Sequence, residues 1–272
     1  MNLVSKIFGI KLAGLLIIIL FIAISGCSSA PDTESQSASE NAQLADDTVT
    51  TTNASHTDEN VIALESTDPM SSSAKVIYLH HSTGGVIWEG GVQDTIEKYN
   101  AEHGTDYSIT PLEFPKASPY GWNNYPYDYW NIWVNHAGPS AYMEEPTLEM
   151  LTQTYDVIVW KHCFPVSNIV ADTGSPDVTS SVKSLENYKL QYNALKEKMH
   201  EFPNKRFIVW TGAALVESQT NPAEAERARE FANWVKTTWD EPGDNIYVWD
   251  FRELETGGGL YLLPENAASP SD

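Results

Sequence analysis

Ser82 closes the apolar run Val76-Ile77-Tyr78-Leu79, preceded by His80 and His81 and followed by Thr83, Gly84 and Gly85. A serine hydroxyl becomes a nucleophile when a neighbouring base takes its proton, and an imidazole is the commonest such base. Side chains on a strand alternate between faces, so His80 is expected to share a side with Ser82 and His81 to oppose it. A histidine there also serves as a hydrogen-bonded orienter. The competing role for Ser82 is to cap the helix that follows, a position serine favours.

Two further segments carry chemistry. Residues 120–133 hold Tyr120, Trp122, Tyr125, Tyr127, Tyr129, Trp130 and Trp133, interleaved with Asn123, Asn124, Asp128 and Asn131. Aromatic faces beside amides suit stacking on sugar rings. The same rings also serve as a lid over the core, since each buries a large area. The other segment is Trp160-Lys161-His162-Cys163. Cys163 reads as a buried inert thiol or, beside a histidine, as a nucleophile. His80, His81 and His162 together would be the ligands of a metal hydrolase, but no cysteine or histidine spacing typical of zinc is present. There is no phosphate-binding or dinucleotide glycine motif, so no cofactor is expected.

These residues need elements to position them. Apolar, β-rich runs fall at residues 76–79, 107–114, 156–160, 206–211 and 246–251. Helical spacing fills residues 91–103, 187–202 and 221–239, the last opening on Asn221-Pro222-Ala223-Glu224, a good start signal. Strands alternating with helices predict an α/β three-layer sandwich with a parallel sheet of about five strands. In such sheets ligands bind outside the carboxyl ends of the strands. Ser82, Trp122 and His162 all fall just after predicted strands.

In element order and spacing, residues 75–272 resemble the SGNH (GDSL-like) hydrolase superfamily. That resemblance implies a flavodoxin-like sheet and ester hydrolysis through an acyl-enzyme. Ser82 matches the family's nucleophile and Gly121 its oxyanion-hole glycine. His162 or Cys163 stands where the family has an oxyanion-hole asparagine, with Asn168 as a further candidate. The family's Gly-Asp-Ser block reads His80-His81-Ser82 here, and Gly-x-Asn-Asp is absent. Its closing Asp-x-x-His pair has one counterpart, Asp272, because no histidine follows His200. Either Asp272 is that aspartate with a histidine beyond it, or the segment is a terminal tail. Substrate contacts are expected from His80 and His81 beside Ser82 and from Trp122, Asn123 and Asn124 of the aromatic segment.

The flanking sequence sets the compartment. Lys6 and Lys11 flank an apolar stretch over residues 12–24, which leads into Ser25-Gly26-Cys27. This resembles a bacterial lipoprotein signal and implies lipidation of Cys27, hence an exported protein held at the cell envelope. Residues 1–27 are read as that signal, residues 28–72 as a disordered tether poor in large apolar groups, and residues 73–272 as the α/β domain. With 37 acidic against 16 basic residues the net charge is -21, which argues against nucleic acid as a partner. The expected function is a membrane-anchored, extracytoplasmic serine esterase acting on an acylated glycan. The alternative is a surface lipoprotein that binds glycan without turnover.

Overall fold

The computed structural model describes residues 72–267; Cys27 and Asp272 lie outside them. Five strands form one sheet: β1 (Ser73–His80), β2 (Asp106–Glu113), β3 (Val157–Trp160), β4 (Arg206–Trp210) and β5 (Ile246–Trp249). All neighbours are parallel, in the order β2-β1-β3-β4-β5. This is the flavodoxin-like order, and its winding reverses between β1 and β3. All five expected strands are present, each within a few residues of its expected bounds.

The helices divide between the two faces. On one lie α1 (Thr83–Glu89), α2 (Val92–His103) and α7 (Phe251–Thr256). They pack Val92, Ile96 and Phe251 against Val76, Tyr78, Val159 and Trp210 of the sheet. On the other lie α3 (Pro126–Trp130), α4 (Leu148–Thr154), α5 (Leu185–His200) and α6 (Pro222–Trp234). There Tyr129, Trp133, Tyr192 and Phe231 cover Ile77, Leu79, Ile158, Trp160 and Phe207. β3 shows why the sheet is closed on both sides, since all four of its residues are buried. Each fully buried large apolar side chain contributes about 1.5–3 kcal/mol.

Local chemistry sets the helix bounds. The Asn221 side chain accepts from the backbone N–H of Ala223 and Glu224, with Pro222 in the first turn of α6. Ser184 caps α5 through Asn187, and Gly104, at φ 64, ends α2. The end of α6 continues as a π-helical turn, Val235–Trp239. The short helices α1, α3, α4 and α7 carry no readable period, because one or two turns give too few apolar repeats.

The aromatic segment is mostly lid. Tyr125, Tyr129, Trp130 and Trp133 are buried, and Tyr120 and Tyr127 half-buried. Tyr120 donates to Asp128 at 3.2 Å and accepts from Asn131 at 3.1 Å. Of the rings in this segment Trp122 stands clear, 55% exposed.

Candidate active site

β1 delivers Ser82 into a tight turn at the carboxyl edge of the sheet, where β1 and β3 are neighbours. Gly84 N–H donates to the His81 carbonyl at 2.9 Å, closing a four-residue turn. Ser82, its first central residue, sits at φ 46 and ψ -115. Those angles belong to a type II′ turn, whose first central position is the preserve of glycine. A non-glycine residue held there costs on the order of 1–3 kcal/mol. Ser82 occupies the N-cap position of α1, yet its side chain makes no capping bond. Its exposed hydroxyl has no hydrogen-bond partner among the described residues. The capping role therefore fails for a physical reason: a capping serine needs extended backbone angles to turn its oxygen back on the helix. A serine on a sharp strand-to-helix turn is instead lifted clear of the sheet, where a reacting atom can reach it.

The turn is closed tightly enough to require Gly84. A Cβ on Gly84 would lie 2.6 Å from His80 Cβ, 2.9 Å from the Tyr78 hydroxyl and 3.2 Å from Lys161 Cε. The expected strand alternation stops at His80, because the turn re-aims Ser82. His80 stacks on Tyr78 with ring centroids 5.1 Å apart, and its Nδ1 is buried without a partner. His81 is buried on the other side, with Nε2 3.4 Å from Glu113 Oε1. The indole of Trp122 meets the His81 ring edge-on, centroids 3.8 Å apart. Burial lowers the His80 and His81 imidazoles, His81 to about 4, so both are neutral at pH 7.

Beneath the turn lies a cluster of buried ionisable groups. Lys161 is 2% exposed at the carboxyl end of β3. The register pairs Leu79 with Trp160, so it brings Lys161 level with His80. Its Nζ has neither an ion pair nor a hydrogen bond among the described residues, and burial lowers its pKa. Glu255, buried on α7, accepts from Ala214 N–H at 2.9 Å. Burial pushes its carboxyl up to about 7 against the pull of that hydrogen bond, Lys161 and Arg252. Arg252 donates to the Leu260 carbonyl at 2.9 Å and to the Ala213 carbonyl at 3.4 Å.

Several expected site residues stand elsewhere. His162 is sealed in an aromatic box of Tyr129, Trp160 and Tyr192, with both ring nitrogens buried and unpartnered. Burial drives it down to about 3, and it offers no donor to a substrate. Gly121 N–H is committed to the Lys116 carbonyl at 3.2 Å, which removes it as an oxyanion donor. Asn124 is buried: it donates to the Phe114 carbonyl at 2.8 Å and accepts from Cys163 N–H at 2.8 Å. It ties the β2 and β3 loops together rather than facing substrate. Cys163 is a buried free thiol. Asn123 and Asn168 are exposed, with no side-chain partner among the described residues. No group of three or more histidine, cysteine, aspartate or glutamate side chains that could hold a metal exists among the described residues. No helix among them is long and apolar enough to cross a membrane.

Lys161, Glu113 and Glu255 escaped the sequence reading. Lys161 had a signal, a lone cation at the end of an otherwise apolar central strand. Glu113 and Glu255 had none, because an acidic residue on a strand end or a short helix is ordinarily solvated. The chain matches no protein-family model, no curated protein and no solved structure.

Two stability measurements follow from this geometry. Ser82→Gly should raise stability by about 1 kcal/mol in chemical denaturation, because glycine relieves the strained φ, whereas Ser82→Ala should leave it unchanged. Glu255 has a folded pKa of about 7, above its ordinary 4.5. Below about pH 4.5 it is neutral folded or unfolded. As pH rises through 7 the unfolded chain ionises more easily, and stability falls by on the order of 3 kcal/mol. Glu255→Gln should therefore raise the melting temperature at pH 8 and leave it unchanged at pH 4; an equal effect at both would refute the buried-acid account.

Proposed function

We propose that this chain is a serine ester hydrolase on the SGNH-like plan, acting through an acyl-enzyme on Ser82. One observation carries the reading: an exposed serine with a free hydroxyl occupies a strained, glycine-type turn at the carboxyl edge of β1. That edge adjoins the point where the winding of the sheet reverses, which is where ligands bind in such folds. Strain of this kind is retained where function needs the side chain held in one place.

The chemistry follows from the parts. Ser82 Oγ attacks the acyl carbonyl carbon, the alcohol leaves, and water releases the acid from the serine ester. The Ser82 backbone N–H supplies a fixed donor beside the developing oxyanion. The substrate class in this reading is an acylated carbohydrate. Trp122 supports it, an exposed indole anchored edge-on against His81 next to Ser82. Its free face suits a sugar ring, and Asn123 beside it offers an unpartnered amide. The reading includes export and attachment to the cell envelope through Cys27, on the lipoprotein-like run at residues 12–27.

The test uses an acetylated oligosaccharide and an aryl acetate. Ser82→Ala should abolish turnover of both. Trp122→Ala should raise KM for the oligosaccharide about tenfold and leave aryl acetate hydrolysis within twofold. Binding of the oligosaccharide with no turnover in the unmutated protein would instead favour the glycan-binding lipoprotein.

A further inference from the structure

A nucleophilic serine needs a proton acceptor, and burial treats the candidates near this turn in opposite ways. A general base works best when its pKa lies near the working pH. Desolvation drives His81 down to about 4 and His162 to about 3, away from neutrality. It drives Lys161 down from 10.5, towards neutrality.

We propose that Lys161, which lies beneath the Ser82 turn without a hydrogen bond to the serine at rest, takes the proton of Ser82 when substrate binds; this rests on Ser82 being the nucleophile. The lysine leaves β3, which pairs directly with β1, and its aliphatic stem runs under the serine turn. Its Cε reaches 3.2 Å from the Cβ position of Gly84, two residues beyond Ser82. The absence of a side chain at Gly84 is what admits it.

The groups that face Lys161 leave its ammonium without an anion. Tyr78 and His80 face it from β1, and burial holds the phenol protonated and the imidazole neutral. His81, against Glu113 and Trp122, is neutral too. Cys163 on its own loop and Glu255 on α7 are the groups that favour its charge. Glu255 makes no ion-pair contact with it, is raised to about 7, and has Arg252 as a second cation beside it. A buried ammonium without a contacting carboxylate is strongly disfavoured. A buried neutral amine is the form a base requires.

The step balances. The lone pair of Lys161 Nζ takes the hydroxyl proton as Ser82 Oγ bonds to the acyl carbon, giving an ammonium and a tetrahedral oxyanion. The carbon–oxygen bond to the leaving alcohol then breaks, and the ammonium returns the proton to that oxygen. Water adds to the acyl-enzyme by the same route, and Ser82 recovers the proton.

The experiment measures the rate at which a fluorophosphonate probe labels Ser82 between pH 5 and 10, with the adduct located by mass spectrometry. Lys161→Met should slow labelling by about 10²- to 10⁴-fold. Lys161→Arg should do the same, because a guanidinium does not deprotonate. A purely structural lysine predicts no such loss, since methionine fills the volume and removes a buried charge. A second readout uses unmutated protein with ¹³C-labelled lysine: one Cε resonance should titrate well below the surface lysines, at the midpoint of the labelling profile. If unmutated protein is labelled and Lys161→Met matches it in rate and pH profile, the lysine assignment is wrong and the serine reading stands. If every lysine titrates in the ordinary range, the assignment is wrong even where Lys161→Met does not fold. If unmutated protein is never labelled at Ser82, the serine reading fails and the lysine assignment with it.

Discussion

The reversal of winding between β1 and β3 governs the rest of this structure. From β1 the chain moves outward to β2, then returns past β1 to continue through β3, β4 and β5. Connections leaving β1 and β3 therefore part to opposite sides of the sheet, the place where ligands bind in such folds. Ser82 follows β1 and the chain from Lys161 to Cys163 follows its neighbour β3. Parallel pairing sends every strand end to this same edge, so residues far apart in sequence are gathered there without any local signal that they belong together.

Burial decides the chemical character of the groups around the Ser82 turn. The domain carries many more acidic than basic residues, yet the Ser82 turn rests on a lysine with no carboxylate in contact. In that low-dielectric setting Lys161 and the histidines shift downward and Glu255 and Tyr78 upward, each towards its neutral form. A surface lysine would be a permanent cation. The same side chain sealed under Gly84 by Tyr78 and His80 has its pKa lowered by burial, and the seal holds because both faces of the sheet are closed by aromatic packing.

Asn124 shows how the supporting frame is divided from the reacting groups. Its amide joins the loops after β2 and β3, so the aromatic segment is pinned over the core while Trp122, two residues earlier, is left exposed. One stretch of sequence thus serves as lid and as contact surface. Composition could not separate the two roles, because tyrosine and tryptophan suit both.

The sequence by itself determined the architecture. Five β-rich runs, three helices long enough to show a period, and the caps at Asn221 and Gly104 are local signals, and local propensity with hydrophobic period is enough to read them. It also marked Ser82, since a serine between a strand and a pair of glycines is visible in any linear reading. Only the tertiary structure decided that Ser82 is strained and uncapped, that His162 is boxed among rings, and that Gly121 and Asn124 are committed to other backbone groups. Only the tertiary structure brought Lys161 beneath the serine turn. The reason is physical: a pattern records what each residue prefers, whereas burial, strain and hydrogen-bond partners are set by neighbours that the sheet order brings from distant parts of the chain.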